Sequence, residues 1–392
     1  MTVPVKYLAM ALLAATAFAF PGPVLRPRPL VLWHGLGDSH SSPGMLEFIE
    51  LIKETHPGIF IHSVYIEKDL EADRKAGWFG NVDEQLAFVA EELAEIPELQ
   101  GGFDGLGFSQ GGQFLRAYVE RYNSPRIHNL LTFGSQHMGV SDLPLCRPGD
   151  WTCQLAGRMA RRGVYTKWAQ HNLVQAQYFR DPTRMSEYLA AGSFLADINN
   201  EVKDPAARNG TYKENLTSLD NLVLILFSQD RTVVPKESSW FGSEAPTEDE
   251  EELAQMPTPD ADGELVALVA PEMGDGRQSA LSGVSMVHVA PAGSALDITS
   301  SEKDESEEDV ASIGQRWPGS EPPTTIVPMR LQPLYVQDWI GLRTLDERGS
   351  VHLETCEGEH MEVTQECWEP LVKKYVGKLV VPPASTLLVE PR

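Results

Sequence analysis

The chain is poor in basic residues, poor in cysteine and, beyond its first twenty residues, free of long apolar runs. Its 392 residues include 32 Lys and Arg against 56 Asp and Glu, which gives a net charge of −24 at pH 7. So acidic a chain repels a phosphate backbone, and this argues against nucleic acid as a partner. After residue 20, no apolar stretch approaches the roughly 20 residues that a membrane-spanning helix needs.

The four cysteines fall into two local pairs, Cys146 with Cys153 and Cys356 with Cys367. Neither pair has histidines at the spacing of a zinc site, so we expect no metal centre. In an oxidising compartment we expect two disulfides between near neighbours, although four cysteines allow three pairings. Free buried thiols remain the alternative.

The negative charge is concentrated in residues 244–321, where nineteen acidic side chains face three basic ones. The acidic runs flank a middle part rich in Ser, Gly and Ala, a composition that cannot bury enough apolar surface to fold. We therefore predict a disordered acidic insertion. Long surface loops add little closure entropy, so a folded domain can carry it.

The N-terminus has the pattern of a secretory signal. The apolar run of residues 8–20 is short for a membrane span, and residues 17–19 offer a small-x-small cleavage site, so residues 1–20 are predicted to be a signal peptide. An uncleaved anchor is the alternative. Asn209 and Asn215 begin N-x-T glycosylation sequons. We expect a secretory-pathway protein with no transmembrane anchor after cleavage.

Residues 107–111, Gly-Phe-Ser-Gln-Gly, fit the G-x-S-x-G nucleophile elbow. Glycines flank the serine because a strand must turn sharply into a helix there, and a side chain would collide with neighbouring backbone. An apolar stretch at 103–108 predicts a buried strand, and apolar residues at helical spacing in 113–119 predict a helix. We expect Ser109 to be a nucleophile, with a structural Gly-rich turn as the alternative.

Strand and helix patterns alternate along most of the chain, which predicts an α/β-hydrolase fold with a mostly parallel central sheet flanked by helices. We expect one domain spanning 28–376 and a loose tail at 377–392. Residues 151–200 have a mostly helical pattern that interrupts the alternation, so we predict a cap-like insertion that covers the substrate site. The predicted strands are residues 29–33, 59–66, 103–108, 130–133, 222–227 and 351–354.

A serine nucleophile needs a base and a carboxylate, which follow it in the order acid, then histidine in this fold. Asp230 comes three residues after the predicted strand 222–227, and only three histidines lie beyond it. His288 falls in the acidic insertion and His352 falls inside a strand, whereas His360 lies in the loop after the last strand. We predict Asp230 and His360 as the partners of Ser109.

An oxyanion hole in this fold uses two backbone amides, one from the residue after the nucleophile and one from the loop after an early strand. Gln110 is the first. We choose Leu36 as the second, because the glycines on both sides of it let its amide turn toward the site.

Together these residues resemble the lysosomal palmitoyl-protein thioesterase family. Two long motifs are similar, VLWHGLGD at 31–38 and GFSQGGQFLRA at 107–117, and the resemblance covers residues 28–243 and 324–376. Further similar segments follow in family order at 134–140, 143–146, 194–199, 240–242, 334–335, 337–338, 341–342 and 357–360.

The resemblance implies hydrolysis of a fatty-acyl thioester on protein cysteines in a lysosome or vacuole, without metal or organic cofactor. Ser109, Asp230 and His360 fall on the family's triad positions, and Leu36 and Gln110 on its oxyanion positions. The implied partners are S-palmitoylated proteins or peptides. The acidic insertion suggests a fungal-type member. A lipase or carboxylester hydrolase with the same triad is the alternative, since this machinery also cleaves oxygen esters.

Overall fold

Parallel strands form the central sheet of the protein. A computed structural model describes residues 25–142, 163–191, 194–202, 204–246 and 325–381. Its strands are β1 (Arg26–Pro27), β2 (Leu30–Trp33), β3 (Ile61–Ser63), β4 (Phe103–Phe108), β5 (Ile127–Phe133), β6 (Asn221–Phe227), β7 (Ser243–Glu244), β8 (Ile326–Val327), β9 (Val351–Cys356) and β10 (Leu379–Val380).

In these ranges six strands pair in the order β3-β2-β4-β5-β6-β9, and all neighbours are parallel. Parallel neighbours need crossover connections, which helices supply here. The predicted fold class is confirmed. The helices are α1 (Pro43–Thr55), α2 (Leu70–Ala76), α3 (Val82–Glu95), α4 (Gln110–Arg121), α5 (Lys167–Asn172), α6 (Met185–Ala191), α7 (Phe194–Ile198), α8 (Gly210–Thr217), α9 (Pro333–Val336), α10 (Leu342–Glu347) and α11 (Gln365–Tyr375).

Alternate residues of each strand face opposite sides of the sheet, and both sides are covered by apolar layers. In β2, Leu30 and Leu32 pack into the layer that contains α1 and α11. Val31 and Trp33 pack into the layer that contains α3 and α4, where the Trp33 ring meets Phe114 edge-on at 5.4 Å. This double burial explains why the strands appear in the sequence as continuous apolar runs.

The second strand is shorter than predicted. The sequence predicts it over 59–66, but β3 covers only Ile61–Ser63. It is an edge strand whose one neighbour in the sheet, β2, is four residues long, so the ladder has no further partner to pair with.

The prediction of a loose tail at 377–392 is wrong for the first residues of that tail. Leu379 and Val380 form β10, which pairs with β1 in an antiparallel ladder. The amide of Arg28 also donates to the carbonyl of Lys378 at 2.9 Å. The backbone pairing therefore ties this part of the tail to the segment that leads into β2. Residues 382–392 lie outside the described ranges.

A buried ion pair lies on α4. Nη1 of Arg116 donates to Oε1 of Glu120 at 3.0 Å, and neither side chain is exposed to solvent. The same guanidinium also donates to the carbonyls of His137 and Ile198 and to the side chain of Asn199. Burial raises the pKa of Glu120 to about 7, and the charge of Arg116 offsets only part of this rise.

We therefore expect the stability of the protein to fall between acidic and neutral pH through Glu120. Its pKa is higher in the folded than in the unfolded chain, so its contribution is complete below about pH 4.5 and is lost as the pH rises through about 7. Glu120→Gln cannot titrate. The melting temperature of wild type minus that of Glu120→Gln should decrease from pH 5 to pH 8. The corresponding decrease in the free energy of unfolding is on the order of 2 kcal/mol.

His137 makes stability rise with pH, because burial lowers its pKa. Wild type and Glu120→Gln both contain His137, so its effect cancels in the difference between their melting temperatures. A difference that grows with pH would mean that the attraction of Arg116 outweighs the burial of Glu120.

The two ends of the acidic insertion meet in the fold. β7 and β8 pair antiparallel, with Ser243 opposite Val327, and the amide of Ala245 donates to the carbonyl of Thr325 at 2.8 Å. The predicted disorder of the insertion concerns residues that lie outside the described ranges. Because β7 and β8 are paired, a short connection between them could replace the insertion.

Deleting residues 248–318 should leave kcat/KM unchanged and should not lower the melting temperature. The shorter loop costs less closure entropy, by up to about 2 kcal/mol for roughly three halvings of its length. Thermal melts and steady-state kinetics of the deletion variant check this. An insoluble product, or a lower melting temperature, would mean that the insertion packs on the domain.

Candidate active site

Ser109 lies at a sharp turn between β4, which ends at Phe108, and α4, which begins at Gln110. Its backbone has φ 50° and ψ −121°, a conformation that a non-glycine residue adopts only when its surroundings impose it. The amide of Ser109 donates to the carbonyl of Phe133 on the neighbouring strand at 2.7 Å. The turn holds the serine at the carboxyl end of the sheet, where the residue is 9% exposed.

The glycines of this elbow are required by close backbone approaches. A Cβ at Gly107 would lie 2.3 Å from the Cα of Gly112, and a Cβ at Gly111 would lie 2.3 Å from the carbonyl oxygen of Trp33. Backbone cannot move aside as a flexible side chain can. These close backbone approaches therefore explain why glycines stand at these positions of the sequence.

The structure brings His360 and Asp230 to Ser109. Oγ of Ser109 lies 3.1 Å from Nε2 of His360, and Nδ1 of His360 lies 2.6 Å from Oδ2 of Asp230. Asp230 follows β6, and its other oxygen accepts from the amides of Thr232 and Val233 at 2.9 and 3.0 Å. These two donors fix the carboxylate, which leaves Oδ2 to orient the imidazole.

The arrangement has the hydrogen-bond directions of a serine nucleophile and its base. A carboxylate only accepts, so Nδ1 of His360 carries the proton and Nε2 is free to accept the serine hydroxyl proton. His352 does not enter the site: it lies in β9, and its Nε2 contacts Oδ1 of Asn221 at 2.9 Å. His288 lies outside the described ranges.

The loop that carries Leu36 packs against the nucleophile. Gly35 to Asp38 form a turn in which the amide of Asp38 donates to the carbonyl of Gly35 at 3.3 Å and Gly37 has φ 76°. A Cβ at Gly35 would lie 3.3 Å from Cβ of Ser109. In the part of the chain that the structure describes, the amide of Leu36 has no protein acceptor.

Gln110 is the first residue of α4, and the first amides of a helix have no intrahelical acceptor. Both amides predicted for an oxyanion hole are thus available on the two sides of Ser109.

Residues 29–261 and 300–360 match the sequence profile of the family described as "Palmitoyl protein thioesterase". The chain is also 32% identical over 370 residues to "Palmitoyl-protein thioesterase 1" of Caenorhabditis elegans, a match that covers 94% of this chain and 98% of the relative. The chain belongs to the palmitoyl protein thioesterase family. The resemblance that the sequence motifs indicate is confirmed, whereas the fungal type of the acidic insertion stays a prediction.

More distant matches include one named thioesterase and one solved hydrolase structure. The chain is 29% identical over 235 residues to the human "Lysosomal thioesterase PPT2", covering 58% of this chain and 74% of that protein. Among solved structures it is similar to the monoacylglycerol lipase of Paleococcus ferrophilus, with 16% identity, 56% of this chain and 82% of that chain covered, and a TM-score of 0.30. At that score the likeness adds nothing to the fold, which rests on the sheet and the family.

The predicted cap-like insertion reaches the site of this thioesterase. Its described residues contain α5, α6 and α7, and the hydroxyl of Tyr178 donates to Oε1 of Gln110 at 3.3 Å. Nε2 of Gln175 and Nε2 of Gln110 both donate to the carbonyl of Gly77. Burial raises the pKa of Tyr178, so its hydroxyl keeps its proton. Sequence reasoning missed Tyr178, because its only signal was one of several aromatic residues in a helical pattern.

The predicted covalent sites are partly described. Cys356 at the end of β9 and Cys367 in α11 are joined by a disulfide, with their Cα atoms 5.4 Å apart. Cys146 and Cys153 lie outside the described ranges. Asn209 is exposed at the start of α8, whereas the side-chain nitrogen of Asn215 donates to the carbonyl of Glu120 at 3.0 Å. Asn209 is therefore the more accessible sequon.

Within the described ranges every helix is too short or too polar to cross a bilayer. The predicted signal peptide at 1–20 lies outside these ranges. Among the same described residues, no three His, Cys, Asp or Glu side chains are grouped to hold a metal ion.

Asp230→Asn should lower kcat by about 10⁴-fold with little change in KM, because a neutral amide no longer holds His360 in the tautomer that accepts from Ser109. Steady-state kinetics on a fatty-acyl thioester measure this. Glu359→Gln is the matched control, since it removes an exposed carboxylate next to His360. A loss below about tenfold for Asp230→Asn would assign the orienting role to another acid.

Proposed function

We propose that this member of the palmitoyl protein thioesterase family hydrolyses the thioester that links palmitate, or another long-chain acyl group, to cysteines of proteins and peptides. The hydrogen-bonded series from Ser109 through His360 to Asp230 is the observation that carries this proposal. The chemistry requires no metal and no organic cofactor.

In the first step, Nε2 of His360 takes the proton of Ser109 while Oγ attacks the thioester carbonyl. The amides of Leu36 and Gln110 donate to the oxyanion that forms. The carbon–sulfur bond then breaks, and His360 returns its proton to the departing cysteine sulfur. The products of this step are the free peptide thiol and an acyl ester on Ser109.

In the second step, His360 takes a proton from water, and the hydroxide attacks the acyl ester in the same oxyanion hole. The ester bond to Oγ breaks, the proton returns to Ser109, and the fatty acid leaves. Asp230 holds the imidazole in both steps. We propose that the segment around Tyr178 lines the path of the acyl chain, and its hydrogen bond to Gln110 supports this.

The lysosome or vacuole is the compartment we propose. The human relative is named as a lysosomal thioesterase. The signal pattern of residues 1–20, the accessible sequon at Asn209 and the disulfide of Cys356 and Cys367 are all expected of a protein made in the secretory pathway.

The deciding experiment compares an S-palmitoylated peptide with its oxygen-ester analogue, each hydrolysed by wild type and by Ser109→Ala. We expect wild type to prefer the thioester, and Ser109→Ala to be inactive on both, because the nucleophile is absent. Release of the peptide thiol and of palmitate is measured at pH 5 and pH 7.

The folded state of Ser109→Ala is verified by a melting temperature close to that of wild type. Equal or faster cleavage of the oxygen ester by wild type would move the chain to the lipases. Thioester cleavage that survives in Ser109→Ala would remove the serine mechanism altogether.

A further inference from the structure

A second carboxylate, Asp73, lies completely buried behind the loop that carries Leu36. It projects from α2, which the sequence analysis did not connect with the active site. Its Oδ1 accepts from the amides of Ile66 and Glu67 at 2.8 and 3.2 Å. Its Oδ2 accepts from the amide and from Nδ1 of His40, at 3.0 and 2.9 Å. One side chain therefore joins separate segments of the chain.

The same Oδ2 also contacts the start of the loop that carries Leu36. Nε2 of His34 lies 3.2 Å from it, at ion-pair distance, and Nδ1 of His34 lies 3.0 Å from the carbonyl oxygen of Gly35. A carbonyl only accepts, so Nδ1 of His34 donates to Gly35, and Nε2 is the ring atom that faces the carboxylate of Asp73. His34 is 2% exposed, so the polar neighbour of its Nε2 is Asp73 rather than bulk water.

His34 and His40 stand at the two ends of the segment 34–40, and both contact the same oxygen of Asp73. Between them lie Gly35 and Gly37, which impose little conformational restraint of their own. Oxyanion donors are effective only when they are fixed before the reaction begins. A loop with two glycines needs an anchor from outside, and Asp73 holds it at both ends.

Burial alone would raise the pKa of Asp73, but the hydrogen bonds from His34 and His40 outweigh burial and hold it well below its usual range. The carboxylate consequently stays charged at the acidic pH of a lysosome or vacuole. The anchor is thus intact under the conditions in which the enzyme is proposed to work.

We propose that Asp73 is a positioning residue for the oxyanion hole: through His34 and His40 it clamps the ends of segment 34–40, so that the amide of Leu36 stays directed at the acyl carbonyl bound to Ser109. The inference rests on the proposed serine mechanism and adds to it a residue that touches neither substrate nor nucleophile.

Asp73→Asn tests the clamp. An asparagine has one acceptor oxygen, so it cannot serve both the amides of residues 66–67 and the histidines, and its NH₂ group faces their N–H donors. We expect the rate constant for acylation of Ser109 to fall about tenfold to a hundredfold. This is less than the 100- to 1000-fold loss of a missing donor, because the amide is displaced rather than removed.

Acylation is followed as the burst of peptide thiol from an S-palmitoylated peptide. The rate constant is normalised to active sites counted by complete labelling with an alkyl fluorophosphonate, so that a smaller folded fraction cannot imitate the effect. The dissociation constant of the substrate, obtained from the dependence of the acylation rate constant on substrate concentration, should change by less than about threefold. A normalised rate constant within twofold of wild type would overturn the proposal.

Asp338→Asn is the matched control. Asp338 is also a buried carboxylate with several donors, the amides of Arg343 and Thr344 and the ammonium of Lys213, and its pKa is lowered too by hydrogen bonds that outweigh its burial. It contacts α8 and α10, not segment 34–40. It should lose stability without slowing normalised acylation, and equal slowing in both variants would reduce Asp73 to a structural role.

Two substitutions of His34 keep the proposal testable if Asp73→Asn does not fold. The amide of His34→Gln can replace Nε2 and reach Asp73, whereas that of His34→Asn can replace only Nδ1 and reach the carbonyl of Gly35. We expect normalised acylation at least about fivefold faster in His34→Gln, and equal rates would overturn the clamp. If wild type releases no thiol, the thioesterase proposal fails instead, and the comparison is repeated on the oxygen ester.

Discussion

The close approach of backbone to backbone at the elbow is the constraint on which the rest of the site depends. Gly111 lies against the backbone of β2, and Gly107 lies against the start of α4. A side chain at either glycine would collide with that backbone. This contact fixes the serine relative to the carboxyl ends of β2 and β4. Because the sheet is parallel, the segments that follow β2, β6 and β9 leave it at that same edge. Segment 34–40, Asp230 and His360 therefore meet the serine although they are far apart in sequence.

This constraint explains why so much could be predicted from the sequence. The glycines of the elbow and the order of acid and histidine after the nucleophile are local or topological signals, and they lead to Ser109, Asp230 and His360 without a structure. Strands buried on both faces appear as apolar runs, so the strands of the sheet were predictable, although the interior strand β5 begins at Ile127 and not at the predicted residue 130. The length of β3 depends on its partner, and the pairing of β10 with β1 joins opposite ends of the domain. Neither leaves a pattern in one segment alone.

Tyr178 and Asp73 were not predictable for the same reason. Each acts on the site through a contact between segments that the sequence keeps well apart, Tyr178 with Gln110 and Asp73 with His34. A tyrosine in a helical stretch and an aspartate in a short polar helix are ordinary on their own. The structure shows that both side chains are buried, so their polar groups must form hydrogen bonds within the protein rather than with water. Only these partners reveal a link to the active site.

Two histidines on opposite sides of Ser109 have contrasting partners. His360 must offer a free nitrogen to the serine hydroxyl, and Asp230 takes the proton of its other nitrogen. His34 faces an acceptor at each nitrogen, the carbonyl of Gly35 at Nδ1 and the carboxylate of Asp73 at Nε2. Each of these two rings therefore has one carboxylate as its neighbour, Asp230 for His360 and Asp73 for His34. Partners rather than residue type assign these roles, so neither carboxylate could be exchanged for its amide without altering the chemistry.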